Sequence, residues 1–387
     1  MSSKNQIKIV DNHVDKLIET LYPNLSYHHH YKIYTNYLQH FNQMVPTEII
    51  SDLKNKKRTF CFNLAGEAEY SFVDQIYRDL IIYHNIPESQ ILLICSSPDY
   101  KYYILDKSKV YNKDPIPTLY CSIFEHQQKQ LFLWYMIGGD DQELLGIQVP
   151  YKSSLHNSKF SKKYICFNRR WKEHRFAVLS LLYNRNLIKD GYVSFSDKPV
   201  VSDDIYYNHT DAFEKMCNDT IKLFPKTERE LSLGFQFKKL LPLVIDNKVF
   251  QTYFAHDSSH RPLMKYYKDT YFSLVNETFY KSGSVRFLTE KLFRPIMHKH
   301  PFILASTPYS LQLLRDQGYK TFDGIIDETY DTVLDDDARL ELIINEVEKL
   351  CSLNEKELDN FKNACLPIVE YNYNVFFTKQ IEIKRLI

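Results

Sequence analysis

Apolar residues in the first half of the chain alternate between short continuous runs and a helical period. Residues 58–64 are rich in strand-forming types, and residues 90–95 form an unbroken apolar run, as in a strand buried on both faces of a parallel sheet. Between them, residues 70–84 carry apolar side chains at positions 72, 73, 76, 77, 80 and 81, which is a helical spacing. This order predicts a βαβ unit.

A second alternating series begins at residue 164. Apolar runs predict strands at 164–167, 241–245, 271–275, 302–305 and 319–322. Helical spacing predicts helices at 175–187, 289–299, 308–317 and 338–351. Asp335–Asp337 is an acidic cap for the last of these helices, and Asn354 with Glu357 predicts a new helix start. Beyond it we expect one or two helices broken near Pro367.

The polar, non-periodic residues 150–161 separate the two series and predict a domain boundary. We expect an acceptor-side α/β domain at 1–155, a second α/β domain at 156–353, and C-terminal helices at 354–387 able to pack back on the first domain. Two alternating blocks predict two Rossmann-like domains with parallel sheets, facing each other across a cleft. A ligand is expected at the carboxyl ends of the strands.

Composition excludes several classes of protein. Hydrophobic residues make up 44% and charged residues 25% of 387, which is typical of a folded globular chain. The formal charge of +1 provides no global field for a polyanion, so nucleic-acid contact has to be local. The longest apolar run, 131–137, is far too short to span a membrane. The polar amino terminus and seven scattered cysteines indicate reduced thiols in a cytoplasm.

Common cofactor and metal motifs are missing. The sequence has no G-x-G-x-x-G after a strand, no P-loop, no H-E-x-x-H, no C-x-x-C and no G-x-S-x-G. This argues against the usual dehydrogenases, P-loop enzymes, zinc hydrolases and serine hydrolases, so any phosphate is gripped mainly by side chains. Asp140-Asp141 is interpreted as a turn and His28–His30 as incidental, so no metal is expected.

Two segments have the chemistry of an anion site. After the strand at 271–275, Asn276-Glu277 leads through a loop to Thr289-Glu290-Lys291, where Thr289 is suited to cap a helix. The helix start and Lys291 favour a diphosphate, and the Glu290 carboxylate can accept both hydroxyls of a ribose. The alternative is that Glu290 and Lys291 are ordinary first-turn residues forming surface pairs.

The other segment is a basic loop between the strand at 164–167 and the next helix. It contains Asn168 and Arg170 and ends at Arg175, which opens the helix. Loops at the carboxyl ends of strands bind anions in α/β domains, and arginine suits phosphate. A solvated basic turn is an equally good interpretation of this loop alone.

Together the two segments resemble the donor-binding domain of GT-B glycosyltransferases of the α1,3-fucosyltransferase type. The matching stretches are Phe167-Asn168 with Arg175, Val275-Asn276-Glu277-Thr278, Thr289-Glu290-Lys291-Leu292 and His300-Pro301-Phe302-Ile303-Leu304. The family order Glu-Asn is reversed here, and the resemblance covers about residues 160–325. Residues 312–330 also resemble stretches of phage and giant-virus proteins, which implies a host cytoplasm if the protein is viral.

The resemblance implies a role for each matching residue. Arg175 and Lys291 would hold the donor diphosphate and Glu290 the ribose. Asn276 and Glu277 would line the donor-sugar pocket. The full predicted donor-binding set is Asn168, Arg170, Arg175, Asn276, Glu277, Thr289, Glu290 and Lys291. For the general base we expect Glu67, with Glu69 and His126 as rivals; alternatively Glu67 starts the helix at 70.

The expected function is transfer of a sugar from a nucleotide-diphosphate donor to an acceptor hydroxyl, without a metal or other cofactor and with inversion implied by the resemblance. The acceptor is a glycan or small molecule, for which the tyrosine-rich first domain offers stacking surfaces, or a hydroxylated base in DNA. A DNA acceptor would need the local basic residues Lys54, Lys56, Lys57, Arg58, Lys159, Lys162 and Lys163. A non-catalytic nucleotide-sugar or glycan-binding protein is the alternative from another class. The sequence leaves the oligomeric state open.

Overall fold

A computed structural model describes residues 60–64, 71–122, 160–168, 170–199, 211–243, 265–379 and 383–387, with the single positions 50, 51, 54, 55 and 125. The strands in chain order are β1 (Phe60–Leu64), β2 (Ile91–Cys95), β3 (Thr118–Cys121), β4 (Tyr164–Phe167), β5 (Gly191–Ser194), β6 (Phe272–Asn276), β7 (Phe302–Ala305) and β8 (Ile383–Arg385). The α-helices are α1 (Ser71–Gln75), α2 (Tyr100–Tyr111), α3 (Glu173–Asn184), α4 (Ala212–Leu223), α5 (Glu228–Gly234), α6 (Glu290–Met297), α7 (Ser310–Asp316), α8 (Asp336–Ser352) and α9 (Glu355–Thr378).

The chain divides into two compact units. Unit 1 comprises Met1–Ile123 and Ile381–Ile387, and unit 2 comprises Phe124–Gln380. The sequence places the boundary near residue 155. In the C-terminal part of the chain, the long helix α9 belongs to unit 2, and the strand β8 that follows it belongs to unit 1.

Unit 1 is built on a sheet with the strand order β1-β2-β3-β8. The first three strands are parallel, and β8 pairs antiparallel to β3. All five residues of β2 are buried, as its unbroken apolar run predicts. The helical segment after β1 differs from the regular helix predicted at 70–84, because α1 continues as a π-helix over Ile76–Tyr83. Its apolar positions repeat every four residues, more than the 3.6 of an α-helix, and this spacing suits a wider turn.

Unit 2 is built on a fully parallel sheet with the strand order β5-β4-β6-β7. The chain runs from β4 out to β5 on one side and then crosses to β6 on the other side. The boundary between the paired strands β4 and β6 is therefore a topological switch point. At such a point the loops diverge and leave a crevice at the carboxyl ends of the strands. We call the loops that follow β4, β5, β6 and β7, together with the helix starts and side chains that contact them, the carboxyl edge.

The core of unit 2 is one continuous apolar cluster. Helices α3, α6, α8 and α9 all contribute buried side chains to it, together with the strands. Nine residues of α3, from His174 to Leu182, are buried, so this helix is enclosed by protein on most sides. Residues 265–268 place Tyr266 and Tyr267 against Ile165 in a smaller cluster. The unit is thus an α/β layer structure of Rossmann-like character.

Several predicted elements are confirmed, some of them to the residue. Strands 164–167 and 302–305 match β4 and β7, and the predicted helices at 175–187, 289–299, 308–317 and 338–351 correspond to α3, α6, α7 and α8. Asp335 caps α8, and Asn354 forms a capping box with Glu357 at the start of α9. Of the strand predicted at 241–245, the structure describes only 241–243, where Leu243 forms an isolated bridge with Phe195.

Two predictions about the later chain are wrong. The predicted break near Pro367 does not occur, because α9 is one helix of 24 residues that contains Pro367. Pro367 is exposed, whereas Cys365 and Val369 are buried on the other side of the helix. The predicted strand at 319–322 is not a strand. Side chains bond part of its backbone instead: Asn372 bonds both backbone groups of Lys320, at 2.8 Å each, and Glu328 accepts from Phe322 N.

Across the part of the chain that the structure describes, no helix is both long enough and apolar enough to pass through a membrane.

Candidate functional site at the carboxyl edge of unit 2

Two asparagines meet at the switch point. Asn168 follows β4 and Asn276 ends β6, and Asn276 Nδ2 donates to Asn168 Oδ1 at 2.9 Å. Both amides also donate to the Cys166 sulfur, at 3.3 and 3.4 Å. Burial raises the pKa of this thiol to about 12, so it is neutral and serves as an acceptor rather than a nucleophile. Asn276 Oδ1 is buried and has no hydrogen-bond partner among the described residues.

Glu277 organises the loop that leads to α6. Its carboxylate accepts from Thr289 N at 2.9 Å, from Thr289 Oγ1 at 2.6 Å and from Thr278 N at 3.1 Å. Because Glu277 is fully buried, desolvation raises the pKa of its carboxyl, although Lys291 and the Thr289 bonds act against this rise. A buried carboxylate that accepts these three bonds fixes the two ends of the loop together.

Glu290 and Lys291 lie side by side at the start of α6. Thr289 caps this helix by accepting from Lys291 N, as predicted. Lys291 Nζ lies 3.0 Å from Glu290 Oε1 and also donates to the hydroxyls of Thr278 and Thr289, at 3.2 and 3.1 Å. Both side chains keep about a fifth of their surface exposed, 22% for Glu290 and 21% for Lys291.

The charge state of Glu290 follows from its neighbours. Burial alone would raise the pKa of this carboxyl, but Lys291 and Arg294 beside it lower the pKa to about 2. Glu290 is therefore ionised at neutral pH and offers two acceptor oxygens next to an ammonium group. This pair can accept hydroxyls and neutralise an anion at one point of the carboxyl edge.

Arg175 is placed differently from a residue that grips a ligand. It is only 3% exposed, and its guanidinium donates to the backbone carbonyls of Arg170 at 3.2 Å and Glu277 at 3.1 Å. Its neighbour His174 also reaches the Glu277 carbonyl, at 2.9 Å, and stacks on Tyr280. Burial is the main cause that holds the pKa of His174 well below its usual range, and the positive charge of the nearby Arg175 adds to it. In this arrangement, Arg175 and His174 tie the start of α3 to the end of β6.

The structure therefore brings together the following predicted donor-binding residues: Asn168, Arg175, Asn276, Glu277, Thr289, Glu290 and Lys291. Arg170 is exposed, and it joins this group through its carbonyl, which accepts from Arg175. The candidate bases Glu67, Glu69 and His126 lie outside the described residues.

Two buried residues at the carboxyl edge were missed by sequence reasoning. Arg339, on α8 and 1% exposed, donates to the carbonyls of Ser306 at 3.2 Å and Tyr280 at 2.6 Å, and its guanidinium lies over the Tyr280 ring. It thus ties the end of β7 to the loop before α6. The only signal in the sequence is that Arg339 falls four residues before the core residue Ile343, on the apolar stripe of α8.

Asp331 is the second missed residue. Its carboxylate accepts from Leu311 N at 2.9 Å and Gln312 N at 3.2 Å and so caps α7 from a distance of 20 residues in sequence. No local motif marks such a long-range cap.

Among the described residues, no group of three or more His, Cys, Asp or Glu side chains is arranged to hold a metal ion. Comparisons with protein-family models, curated proteins and solved structures give no match for this chain. The carboxyl edge of unit 2 combines a paired carboxylate and ammonium, a helix start and two hydrogen-bonded asparagines.

Proposed function

We propose that the protein is a glycosyltransferase that binds a nucleotide-diphosphate sugar at the carboxyl edge of unit 2. The observation that carries this proposal is the position of Glu290 and Lys291, which form a partly exposed ion pair at the first turn of α6, next to the switch point. Crevices at switch points are the usual ligand sites of open parallel α/β sheets. A cation at a helix start suits a diphosphate, and an ionised carboxylate suits the two hydroxyls of a ribose.

The proposed chemistry assigns distinct tasks to these two side chains. Lys291 and the start of α6 would stabilise negative charge that develops on the leaving diphosphate, with no metal required for this task. Glu290 would orient the nucleoside through its ribose. The interior carboxylate of Glu277 would hold Thr289 and thereby the position of Lys291, since the Thr289 hydroxyl bonds both of them.

The other half of the proposed reaction belongs to unit 1. We propose a GT-B-like enzyme in which a carboxylate of that unit, Glu67 as first candidate, deprotonates an acceptor hydroxyl on a glycan or small molecule. Attack opposite the leaving group would invert the anomeric centre, as the resemblance implies.

A non-catalytic nucleotide-sugar-binding protein is the second candidate. The specific observation in its favour is Arg175, which is buried and whose guanidinium bonds backbone carbonyls at 3.1 and 3.2 Å. If this cation does not contact the ligand, fewer positive groups oppose the charge on a leaving diphosphate, which weakens turnover more than binding. The DNA version gains no such support, because Lys162 and Lys163 donate to backbone carbonyls.

Thermal unfolding with a panel of UDP, GDP, CMP and dTDP nucleotides and their sugars, in EDTA, tests the proposal. A ligand at about 100 times its Kd stabilises the folded state by about 2.7 kcal/mol. We expect one nucleotide class to raise the Tm of the wild type, and Glu290→Gln to abolish this rise. The matched control is Glu228→Gln, since Glu228 is an exposed first-turn glutamate of another helix, α5.

Each outcome decides between the candidates. If no nucleotide raises the Tm of the wild type, the glycosyltransferase proposal is wrong. If the rise is selective and lost only in Glu290→Gln, the bound sugar nucleotide can be offered to acceptors, and binding without transfer would identify the non-catalytic protein.

A further inference from the structure

Tyr309 adopts a backbone conformation that bulky residues rarely take. It lies between β7 and α7 and has φ 62° and ψ 20°, in the left-handed region. Glycine and asparagine enter this region readily, whereas a large side chain does so at a cost in conformational energy. Such outliers persist only where the surrounding structure imposes them, and they cluster at ligand sites.

The turn is imposed by Asp331 and not by the tyrosine side chain. Tyr309 N donates to the Asp331 carbonyl at 2.6 Å, and the Asp331 carboxylate caps α7 through Leu311 N and Gln312 N. The Tyr309 side chain makes no capping bond to the helix. A smaller residue would therefore satisfy the same backbone without the cost, so the turn itself gives no reason for an aromatic ring here.

The ring is presented at the carboxyl edge. Tyr309 is 42% exposed, while Leu311 and Leu314 of the same helix are buried in the core. No described residue forms a hydrogen bond with its hydroxyl or stacks on its ring. It comes four residues after Ala305, the last residue of β7, and Ala305 pairs with Asn276 at the end of β6.

The loop that carries Glu277 and Thr289 passes close to the segment between β7 and Tyr309. Ser306 Oγ, at the end of β7, donates to the Phe279 carbonyl at 3.4 Å, and Arg286 Nη1 approaches the Tyr309 carbonyl at 3.5 Å. If the diphosphate and the ribose of a nucleotide bind Lys291 and Glu290, its planar base would lie on a neighbouring part of the carboxyl edge.

We propose that Tyr309 is the stacking platform for the nucleobase of the ligand that unit 2 binds. The ring is exposed, its backbone is held by the bond to Asp331, and every base has a π-face to lay against an aromatic ring. This inference rests on the proposed nucleotide-binding function and adds to it the residue that holds the base. It also implies that affinity depends on the base and not only on the diphosphate.

Variants at Tyr309 separate stacking from the turn. Asn at this position keeps a residue suited to the left-handed conformation but removes the ring, and Phe keeps the ring but removes the hydroxyl. We expect Tyr309→Asn to leave the Tm of the free protein within a few degrees and to weaken binding of the nucleoside diphosphate by about tenfold or more. Tyr309→Phe keeps wild-type affinity. Tyr371→Ala is the matched control, because Tyr371 is similarly exposed (40%) but lies on α9, beside Gly318 at the far end of α7.

Calorimetric titration of the full-length protein with a nucleoside diphosphate and with inorganic pyrophosphate gives the readout. The proposal predicts that Tyr309→Asn loses affinity for the nucleoside diphosphate and keeps its affinity for pyrophosphate, which has no base. Equal nucleotide affinity in wild type and Tyr309→Asn would overturn the stacking role while leaving the proposed function intact. No nucleotide binding by the wild type would overturn both.

Discussion

The Thr289 hydroxyl joins the structural and the functional parts of the site. It donates to Glu277 and accepts from Lys291 N, which caps α6. It also accepts a hydrogen bond from Lys291 Nζ at 3.1 Å. Three groups thus depend on one oxygen atom in a residue that is fully buried. Its loss would leave a buried carboxylate with fewer donors, so Thr289 is the residue whose removal most directly disturbs the charged pair.

Thr289→Val removes this oxygen while preserving the shape of the side chain. Loss of a helix cap together with a buried hydrogen bond is expected to lower the free energy of unfolding by about 1–2 kcal/mol. Thr289→Ser keeps the hydroxyl and is expected to cost less than about half of that. Urea unfolding of the two variants measures the difference, and equal stability of Val and Ser at this position would contradict the assigned bonds.

His300 makes unit 2 sensitive to acid. It is buried, with Nδ1 2.8 Å from Ser273 Oγ and Nε2 3.0 Å from the Thr270 carbonyl, and burial lowers its pKa from 6.5 to about 4. Between these two pH values the unfolded chain binds the proton and the folded chain does not, so stability falls as the pH decreases from 6.5 towards 4. The contribution between pH 7 and pH 5 is about 2 kcal/mol.

The pH dependence of urea unfolding tests this assignment. In His300→Gln we expect a smaller loss of stability between pH 7 and pH 5, whatever the absolute stability of the variant. His174, also held neutral by burial, retains its own share of the acid sensitivity in that variant. A variant with the same slope as the wild type would show that His300 titrates normally.

Sequence reasoning at the residue scale succeeded where the partner is local. The Thr289 cap and the pairing of Asn354 with Glu357 are confirmed, since both depend on residues within three positions. It failed for Arg339 and Asp331, whose partners lie 20 or more positions away for several of their bonds. Long-range partners are chosen by the fold and not by the neighbouring sequence.

At the scale of elements, α3 and α5 pack unusually closely at Gly234, the last residue of α5. A Cβ at this position would overlap the backbone of Ser180, including its carbonyl carbon and oxygen, in the middle of α3. Backbone atoms cannot move aside as the end of a flexible side chain can. The absence of a side chain at Gly234 therefore sets the distance between these two helices.

Gly234→Ala sets two effects against each other. Alanine has a better helix propensity than glycine by about 1 kcal/mol, but overpacking a close contact costs about 1–3 kcal/mol. We expect the steric effect to win and the free energy of unfolding to fall, because the added Cβ overlaps backbone atoms of Ser180. A more stable Gly234→Ala protein in urea unfolding would contradict the close approach of the two helices.

Strands buried on both faces were the most predictable elements. Their continuous apolar runs fix β2, β4 and β7 almost to the residue. The helix breaker Pro367 and the apolar run at 319–322 misled the prediction, because packing of α9 and side-chain bonds from Asn372 and Glu328 override local preference there. Tertiary contacts decide such cases, and a local pattern does not contain them.

At the scale of the whole molecule, the two sheets belong to different units, and the candidate site belongs to unit 2. The alternation of strands and helices predicted this α/β character, and the order β5-β4-β6-β7 adds the switch point that the sequence cannot specify. Strand order depends on which side each crossover takes, so only the structure brings Asn168 next to Asn276.

The central claim is that a nucleotide binds at the carboxyl edge of unit 2. Hydrogen–deuterium exchange of the full-length protein, with and without the nucleoside diphosphate that raises the Tm most, tests this location directly. We predict that the ligand slows exchange in residues 276–292 and 306–312 and leaves α4 and α5 unchanged. Slowed exchange confined to other segments, or no change in either of the two predicted segments, would contradict the account.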